Sequence, residues 1–370
     1  MSKLILFTVL FSITQNVFAD DFDKLEVMVY NVENLFDARH DIEGGVEKND
    51  WTFLPKKTPG KDAACKKISY WKYKNECFNT DWSQELVDLK ISQIKEVLTK
   101  ERKSLPNILA LVEIENSNVV GMLAKALGYK QFKVSQSPDK RGIDLAVLYN
   151  SSKKLTFVKK SELVIEGDYF KKKPTRVILE IEFLVNKKPL HFFVNHWPSQ
   201  GNPSATRIAA AKKLKQRIEK INKSHYIMAV GDFNTIPSDM PHPFHNVILK
   251  EELLKDVHNL FSKDRSIDKK LKKNMPPGTY FYSKTMSWNI LDRIFVSKNL
   301  MDGEGFDAIL SSYEIYAPDF ITKSYEYKKG SGYLSGSKVN RVPNRYDHSE
   351  TSAGKAGYSD HFPVVLRFNL

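Results

Sequence analysis

The sequence predicts a mixed α/β sandwich, and three observations support this prediction. Apolar runs rich in β-branched and aromatic residues recur along the 370-residue chain, as expected for strands buried in a core. Between them lie amphipathic segments whose apolar residues repeat at helical spacing. Several strands follow one another directly, as hairpins do, so a strictly parallel sheet with a helix after every strand does not fit.

Residues 1–19 predict a signal peptide. Lys3 precedes an apolar run over 4–13, and the segment ending at Ala19 resembles a small-residue cleavage site. A buried N-terminal strand or helix is the alternative. The run is shorter than the ~20 residues that span a bilayer, and no later stretch is apolar enough to do so. We therefore expect an exported protein, secreted or periplasmic, with a single domain over 20–370 and no stable membrane insertion.

The first strand is predicted over 25–30, and a long insertion follows at about 38–80. The insertion lacks hydrophobic periodicity and contains turn-forming glycines and prolines. It also holds both cysteines of the chain, Cys65 and Cys77. Because two nearby thiols without competitors most simply pair in an oxidising compartment, we expect a local disulfide that closes the insertion.

Three helices and the remaining strands follow. The first helix, over 81–100, is expected to be capped by Asp81 with Gln84 as its capping-box partner. The second, over 119–127, stops at Gly128. The third starts at Ser204, with apolar residues on one side and Lys and Arg on the other. Further strands are predicted over 107–112, 144–149, 156–165, 175–184, 189–195, 225–230, 289–296 and 363–370.

The charge of the protein favours a polyanionic partner. The formal net charge is +13, and loss of Lys3 with the signal peptide leaves +12. Such an excess attracts nucleic acid by steering and counterion release, although a chain that is simply rich in lysine would carry the same charge. The insertion mixes aromatic and basic residues, which suits stacking on bases beside a phosphate backbone. A small disulfide-linked core with solvated lysines is the alternative.

Short polar clusters stand at the ends of the predicted buried strands. Carboxylates, amides and histidines at one edge of a core are the groups of a metal-assisted phosphate-ester hydrolase. Taken singly, each cluster has a structural alternative, such as a Glu that reaches solvent, an Asx turn or a core histidine. The candidates are Glu113, His196, Asp232, Asn234, Asp292, Asp360 and His361.

The order of these clusters resembles the endonuclease/exonuclease/phosphatase superfamily, and within it an exported bacterial nuclease-like branch. The resemblance runs from about residue 25 to 370. It rests on the motifs Tyr30-Asn31-Val32-Glu33-Asn34, Leu111-Val112-Glu113-Ile114, Gly142-Ile143-Asp144, Asn195-His196-Trp197, Gly231-Asp232-Phe233-Asn234, Leu291-Asp292-Arg293 and Ser359-Asp360-His361. It implies a four-layer α/β sandwich in which two packed mixed β-sheets are flanked by helices.

The resemblance also implies roles for individual residues. Metal ligands for Mg²⁺, or for Ca²⁺ or Mn²⁺, match Asn31, Glu113 and Asp360. His361 matches the catalytic histidine that contacts the scissile phosphate or accepts a proton. Because neighbouring side chains on a strand face opposite ways, Asp360 cannot orient His361 by adjacency alone, and Asp292 matches the orienting carboxylate. The other catalytic positions match Asp232 and Asn234, which position water and a phosphoryl oxygen, and His196, which assists the leaving group. Substrate-binding positions match Arg141, Asp144 and Trp197.

These expectations define one function and two alternatives. The first is an exported, divalent-metal-dependent phosphodiesterase, a monomeric nuclease that hydrolyses DNA, or both DNA and RNA, with little sequence preference. The second, on the same fold, is a phosphatase or phospholipase C-type hydrolase of inositol phosphates or sphingomyelin, because fold does not decide substrate. The third is a non-catalytic binding protein that keeps the fold. A matching residue stands at every expected catalytic position, which argues against the third.

Overall fold

A computed structural model describes residues 22–43, 46–327 and 334–370. The predicted signal peptide at 1–19 lies outside the described residues. Within the described ranges, no helix combines the length and the apolar character that crossing a membrane requires.

Strands and short helices alternate irregularly along the chain. The strands are β1 (Lys24–Leu35), β2 (Ile42–Glu43), β3 (Val46–Glu47), β4 (Ile108–Ile114), β5 (Gln131–Val134), β6 (Asp144–Tyr149), β7 (Leu155–Leu163), β8 (Ile178–Val185), β9 (Lys188–His196), β10 (Tyr226–Asp232), β11 (Lys255–Asp256), β12 (Tyr280–Tyr282), β13 (Ser287–Asn289), β14 (Asp292–Val296), β15 (Asp307–Ile315), β16 (Thr322–Glu326), β17 (Lys338–Pro343) and β18 (Val364–Asn369).

The α-helices are α1 (Lys61–Lys66), α2 (Trp71–Asn79), α3 (Gln84–Thr99), α4 (Ser117–Leu127), α5 (Asp168–Lys172), α6 (Ser204–Ile218), α7 (Val257–Lys263), α8 (Lys269–Asn274) and α9 (Ala353–Ala356). Single turns of 3₁₀-helix lie at Trp51–Phe53, Lys250–Glu252, Lys298–Leu300 and Asp319–Ile321, and a π-helical turn lies at Phe244–Ile248.

Two six-stranded mixed sheets form the centre of the molecule. The first has the order β15-β18-β1-β4-β6-β5, and the second has the order β11-β14-β10-β9-β8-β7. In the first sheet β1 and β4 run parallel, and in the second β9 and β10 run parallel, while the other neighbouring pairs are antiparallel. The predicted mixture of parallel and antiparallel pairing is therefore confirmed.

The alternation of side chains along β10 shows how the layers pack. Met228 and Val230 belong to the large core between the two sheets, whereas Ile227 and Ala229 lie in the second core, beneath α6. On the opposite side of the molecule, α3 and α4 cover the outer face of the first sheet. Their buried residues, such as Val87, are contiguous with the large core. The layers run helix, sheet, sheet, helix, which confirms the four-layer sandwich.

Two helix boundaries differ from the predictions. The helix expected over 81–100 begins at Gln84, and Ser83 precedes it as the N-cap residue. Asp81 instead accepts a hydrogen bond from the backbone N–H of Lys56, 2.7 Å away, so it supports the insertion rather than the helix. The helix expected over 119–127 begins two residues earlier, at Ser117, whereas the helix predicted to start at Ser204 does so and ends at Ile218.

The insertion is more regular than its lack of periodicity suggested. It contains the β2–β3 hairpin, α1 and α2, and the two helices are joined by the predicted Cys65–Cys77 disulfide with 5.6 Å between the Cα atoms. Helices of six and nine residues are too short to produce a clear periodic pattern. The disulfide and tertiary packing hold them instead.

Candidate active site

The second sheet brings three of the predicted catalytic residues into register. Asp232, the last residue of β10, pairs with His196 at the end of β9 and with Asp292 at the start of β14. Close approach of β10 to β9 depends on Gly231, because a Cβ at this position would lie 2.0 Å from the Asn195 carbonyl oxygen. Strand pairing alone therefore delivers an imidazole and two carboxylates to one edge.

The Asp232 carboxylate is the centre of this polar network. Its Oδ2 accepts hydrogen bonds from the side-chain amides of Asn31 at 3.2 Å and of Asn234 at 3.0 Å. Its Oδ1 accepts the backbone N–H of Asn234 at 2.8 Å, which Asn234 can offer because it adopts a left-handed conformation with φ of 47°. Burial raises the pKa of Asp232 to about 7, against the opposing effect of the nearby His361 imidazole.

His361 and Asp292 form the predicted dyad. The Nδ1 atom of His361 lies 2.6 Å from Oδ2 of Asp292, which leaves Nε2 facing Asp232 Oδ2 at 4.0 Å. Burial opposes protonation of His361, but the Asp292 carboxylate outweighs it, so the pKa of His361 is raised well above its ordinary value. The imidazolium form therefore presents an Nε2–H toward the site.

His196 faces the same carboxylate in the opposite protonation state. Its Nε2 atom lies 3.7 Å from Asp232 Oδ2 and 3.6 Å from Glu113 Oε1. Burial lowers the pKa of His196 well below its ordinary value, and the guanidinium groups of Arg176 and Arg141 lower it further. The two histidines of the site are thus set apart, one held protonated and one held neutral, which is how a single site can supply different proton-transfer groups.

Glu113 reaches the site from the first sheet through an irregularity in β4. The register between β4 and β6 shifts between Val112 and Ile114, and Glu113 there adopts a left-handed conformation with φ of 64°. A bulge of this kind redirects a side chain at a sheet edge. Burial raises the pKa of Glu113, and the negative charge of Asp360 raises it further.

The donor set of Asn31, Glu113 and Asp360 fits a hard divalent cation. No group of three or more His, Cys, Asp or Glu side chains in the described part of the chain is arranged to hold a metal ion. Mg²⁺, however, is usually bound by one or two carboxylates and keeps several waters, so two carboxylates and an amide suffice. A cation would also offset the burial and the like charge that raise the pKa of Glu113.

Two of the predicted substrate-binding residues have structural roles instead. Trp197 is fully buried, packs edge-on against Phe233 with 4.8 Å between ring centroids and donates its indole N–H to Asn195. Because successive side chains point to opposite sides, His196 faces the site while Trp197 faces the core. Asp144 is buried and accepts hydrogen bonds from the Ser135 hydroxyl and the Ser137 backbone N–H, so it orders a loop.

Arg141 is placed where it can contact a substrate. It forks onto Asp139, with Nη2 2.9 Å from Oδ2, and its side chain is 53% exposed. Its charge acts on both Glu113 and His196, which places it beside the catalytic network. Strand β4 ends at Ile114, and Glu115 accepts the Asp37 backbone N–H at 2.8 Å in a separate acidic cluster.

Several charged residues of the site were not predicted from the sequence. Arg176 shares Asp139 with Arg141 at 3.3 Å and donates to the Trp197 carbonyl at 2.7 Å. On the other side, the buried Glu33 is paired with Arg345. The buried Lys90 donates to the Tyr358 carbonyl at 2.9 Å. Arg345 and Lys90 lie outside the motifs, and only their contacts in the folded structure show that they belong to the site. Glu33 lies within the motif around Asn31, but the motif does not indicate its pairing with Arg345.

These strand ends, with two histidines, two amides and carboxylates from both sheets, define a class of protein: an α/β sandwich with the groups for phosphoric-ester hydrolysis. The family model described as "Endonuclease/Exonuclease/phosphatase family" matches residues 26–369. The chain therefore belongs to the endonuclease/exonuclease/phosphatase family. No curated protein sequence matches it significantly.

Several solved structures share the fold of this chain. TDP2 from D. rerio in complex with a single strand DNA product is 15% identical, with 94% of this chain and 100% of that chain covered and a TM-score of 0.52. The human Nocturnin catalytic domain with bound sulfate is 16% identical, with 95% and 96% covered and a TM-score of 0.51. A family protein from Bacteroides thetaiotaomicron is 15% identical, with 93% and 97% covered and a TM-score of 0.51.

Proposed function

We propose that this protein is an exported, divalent-metal-dependent phosphodiesterase, a nuclease that hydrolyses DNA, and RNA as a second substrate, with little sequence preference. The observation that carries the proposal is the convergence on Asp232 Oδ2. Two side-chain amides donate to this oxygen, and the Nε2 atoms of two histidines lie 3.7 and 4.0 Å away. Glu113 and Asp360 lie beside this network. A phosphoryl group bound here would therefore be surrounded by carboxylates as well as by histidine and amide side chains.

The metal ligands in this proposal are Asn31, Glu113 and Asp360. A bound Mg²⁺, Ca²⁺ or Mn²⁺ supplies charge neutralisation for the phosphoryl oxygens. Asn31 also donates to Asp232 through its amide nitrogen, so one side chain joins the metal ligands to the water-positioning residues. Its orientation is fixed because its Oδ1 accepts the Glu33 backbone N–H at 3.1 Å.

The catalytic roles follow from the protonation states. Asp232 and Asn234 hold the attacking water and a phosphoryl oxygen, because their polar atoms converge at a buried edge. Protonated His361 directs Nε2–H to the scissile phosphate, with Asp292 fixing the ring through Nδ1. Neutral His196 lies on the other side of Asp232, where its one ring N–H can donate a hydrogen bond to the leaving oxygen. Each positioned acid or base of this kind contributes ~10²–10⁴-fold in rate.

Three features support nucleic acid as the substrate and export as the destination. The net charge is +13, or +12 without residues 1–19, which favours a polyanion. Among the structures with this fold, D. rerio TDP2 holds a single strand DNA product. The pattern of residues 1–19 supports secretion or a periplasmic location. We propose that the protein acts as a monomer.

A phosphatase or phospholipase acting on inositol phosphates or sphingomyelin is the second candidate. One observation favours it: the exposed aromatic residues of the insertion, including Trp71, would also suit a lipid interface. The same phosphoryl site would serve both functions, so only the substrate separates them. A non-catalytic protein is disfavoured by the complete hydrogen-bonded network around Asp232.

The experiment is a substrate panel. Plasmid DNA, single-stranded DNA, RNA, sphingomyelin and inositol phosphates are each incubated with the protein in Mg²⁺, Ca²⁺, Mn²⁺ or chelator. His361→Ala serves as the inactive control. We expect cleavage of nucleic acid only with metal, and affinity that falls steeply with salt, with a log–log slope of about −0.9 per neutralised phosphate of duplex DNA. Turnover of a lipid or inositol head group with no cleavage of nucleic acid would transfer the assignment to the second candidate.

A further inference from the structure

The helix pair of the insertion exposes three aromatic side chains on its surface. Tyr70, Trp71 and Tyr73 are 52%, 68% and 58% exposed, and we call them the aromatic surface. The rings of Tyr70 and Tyr73 are in contact, with 5.1 Å between centroids. Within 61–79 these three are the exposed large hydrophobic residues, and none of them is aliphatic. Water-exposed rings of this kind are available for stacking.

The aromatic surface is surrounded by positive charge. Lys66, Lys67 and Lys72 are exposed in the same helix pair, and Lys74 is partly exposed. Lysines beside aromatic rings are the combination with which proteins follow a single-stranded phosphate backbone while stacking on its bases.

The insertion presents this surface on a fixed scaffold. Cys65 and Cys77 are fully buried and join α1 to α2. The Lys61 ammonium is also buried and donates to the carbonyl oxygens of Leu54 at 2.5 Å and Thr80 at 2.8 Å. A buried cation that binds carbonyl groups from both ends of the segment holds its base closed. The aromatic side chains therefore keep their positions relative to the rest of the domain.

The insertion is attached to the loop that carries Arg141. The backbone N–H of Asn49 donates to the Lys140 carbonyl at 2.6 Å, and the Lys48 ammonium donates to the Ser137 carbonyl at 3.0 Å. A cleft of about 650 Å³ continues from Lys48 along the insertion, and Trp51, Lys67, Tyr70 and Tyr73 are among the residues that line it. Through Tyr70 and Tyr73, the aromatic surface therefore lines a cleft that begins at residues hydrogen-bonded to the Arg141 loop.

Arg141 interacts electrostatically with both regions. Burial acts to lower the pKa of Arg141, but Asp139, Glu113 and Tyr73 together raise it. Together with the backbone hydrogen bond between Asn49 and Lys140, this couples the Arg141 loop to the site and to the insertion.

We propose that the aromatic surface binds unpaired bases of a single-stranded nucleic acid whose backbone passes Arg141 into the catalytic site. This inference rests on the proposed nuclease function and assigns its substrate class. Base faces are accessible for stacking only when the bases are unpaired, so the surface selects single-stranded DNA or RNA over intact duplex. A lipid interface is disfavoured because no aliphatic side chain within 61–79 other than the small Ala63 is exposed, and because the insertion is hydrogen-bonded to the Arg141 loop.

The test measures binding without cleavage. His361→Ala protein is titrated into a fluorescent single-stranded oligonucleotide, a blunt duplex of the same length, and anionic phospholipid vesicles. It is compared with a triple variant in which the same protein also carries Tyr70→Ala, Trp71→Ala and Tyr73→Ala together. Tyr169→Ala, which removes a similarly exposed aromatic ring from α5, is the matched control, and Trp71→Phe tests whether a different ring restores binding. Melting temperature and intact mass verify the fold and the disulfide of each variant.

We expect the triple variant to lose at least about fivefold in affinity for the single strand, since stacking on one ring contributes ~1–3 kcal/mol per base. Duplex affinity should change less, and Trp71→Phe and Tyr169→Ala should bind the single strand like the parent. Unchanged single-strand affinity, an equal loss for both nucleic acids, or a loss confined to vesicles would each overturn the proposal. Because binding is scored in an inactive background, these outcomes are separate from a failure of the nuclease assignment, which the substrate panel detects.

Discussion

The catalytic edge and the insertion differ in the range of the contacts that hold them. At the catalytic edge, Asn31 bonds to Asp232 across 201 positions of sequence, and His361 bonds to Asp292 across 69. In the insertion, Cys65 and Cys77 are twelve residues apart and Lys61 binds carbonyl groups at most 19 residues away. The first arrangement exists only when both sheets have formed, whereas the second is closed locally.

This difference separates the chemistry of the protein from its choice of substrate. Side chains at the catalytic edge contact one another across several strands. Changes there should therefore disturb the whole catalytic network and alter the rate of the chemical step. Changes in the insertion should alter binding and local stability and leave the catalytic network intact.

Removal of the metal should have the largest effect. Chelation should abolish hydrolysis, since the buried carboxylates would otherwise repel an anionic phosphate. Glu113→Gln should lower both metal affinity and activity by roughly 100-fold or more, because loss of even an outer-sphere partner costs 10–100-fold. Calorimetric titration with Mg²⁺ and initial rates measure the two quantities, with Glu182→Gln on β8 as control. Full activity in excess chelator would refute the metal-dependent mechanism.

The His361–Asp292 pair should have the next largest effect. His361→Ala and Asp292→Asn should each reduce kcat by ~10²–10⁴-fold. The double variant should lose little more than either single variant, since groups that act as one unit are not additive. Steady-state kinetics on a nucleic-acid substrate measure this, with the exposed His245→Ala as control. Effects that multiply independently would show that the 2.6 Å contact is not a catalytic dyad.

The same contrast explains what the sequence could predict. The residues His196, Asp232 and Asp292 end or begin apolar runs, and strand pairing necessarily brings such ends together, so their convergence was predictable. Trp197 could not be assigned correctly from its motif, because its neighbour His196 takes the opposite face. The left-handed conformation of Glu113 also has no sequence signal in a non-glycine residue.

Charged residues outside the motifs were beyond sequence reasoning for a physical reason. Arg176 and Arg345 lie at the site only because Asp139 and Glu33 pair with them, and a pairing partner distant in sequence leaves no local pattern. The short helices of the insertion were missed because their order depends on a disulfide and buried Lys61 rather than on periodicity. Local devices can thus be as hard to predict as long-range ones.

Removal of the disulfide should have an intermediate effect confined to the insertion. Replacing both Cys65 and Cys77 by Ser should destabilise the closed segment by about 3 kcal/mol, the value that the chain-entropy model gives for a short loop. We expect faster proteolysis within 61–79 while hydrolysis of a small chromogenic phosphodiester continues. Limited proteolysis followed by mass spectrometry locates the cuts. Cooperative unfolding of the whole domain at the same temperature would contradict the local role of the bond.

A partly buried histidine, His348, should have the smallest effect, and it tests the junction of the two regions. His348 packs against Phe53 of the insertion and against Trp82 and Tyr346, with ring centroids 5.2, 5.7 and 5.3 Å away. Burial lowers its pKa to about 3, and the positive charges of Lys90 and Arg345 contribute. The cluster therefore holds a neutral imidazole.

The pH dependence of stability follows from this shift. The unfolded chain takes up a proton near pH 6.5, whereas the folded His348 does so only near pH 3, so the unfolded state binds more protons between these values. Stability is therefore complete above pH 6.5 and is lost as the pH falls toward 3. Between pH 7 and 5 the free energy of unfolding should drop by about 1–2 kcal/mol from this residue. Denaturant titrations of His348→Phe should show a flatter profile, and those of the exposed His245→Phe should match the wild type. An unchanged profile in His348→Phe would show that the aromatic junction tolerates a charged imidazole, and that another buried group sets the acid sensitivity of the insertion.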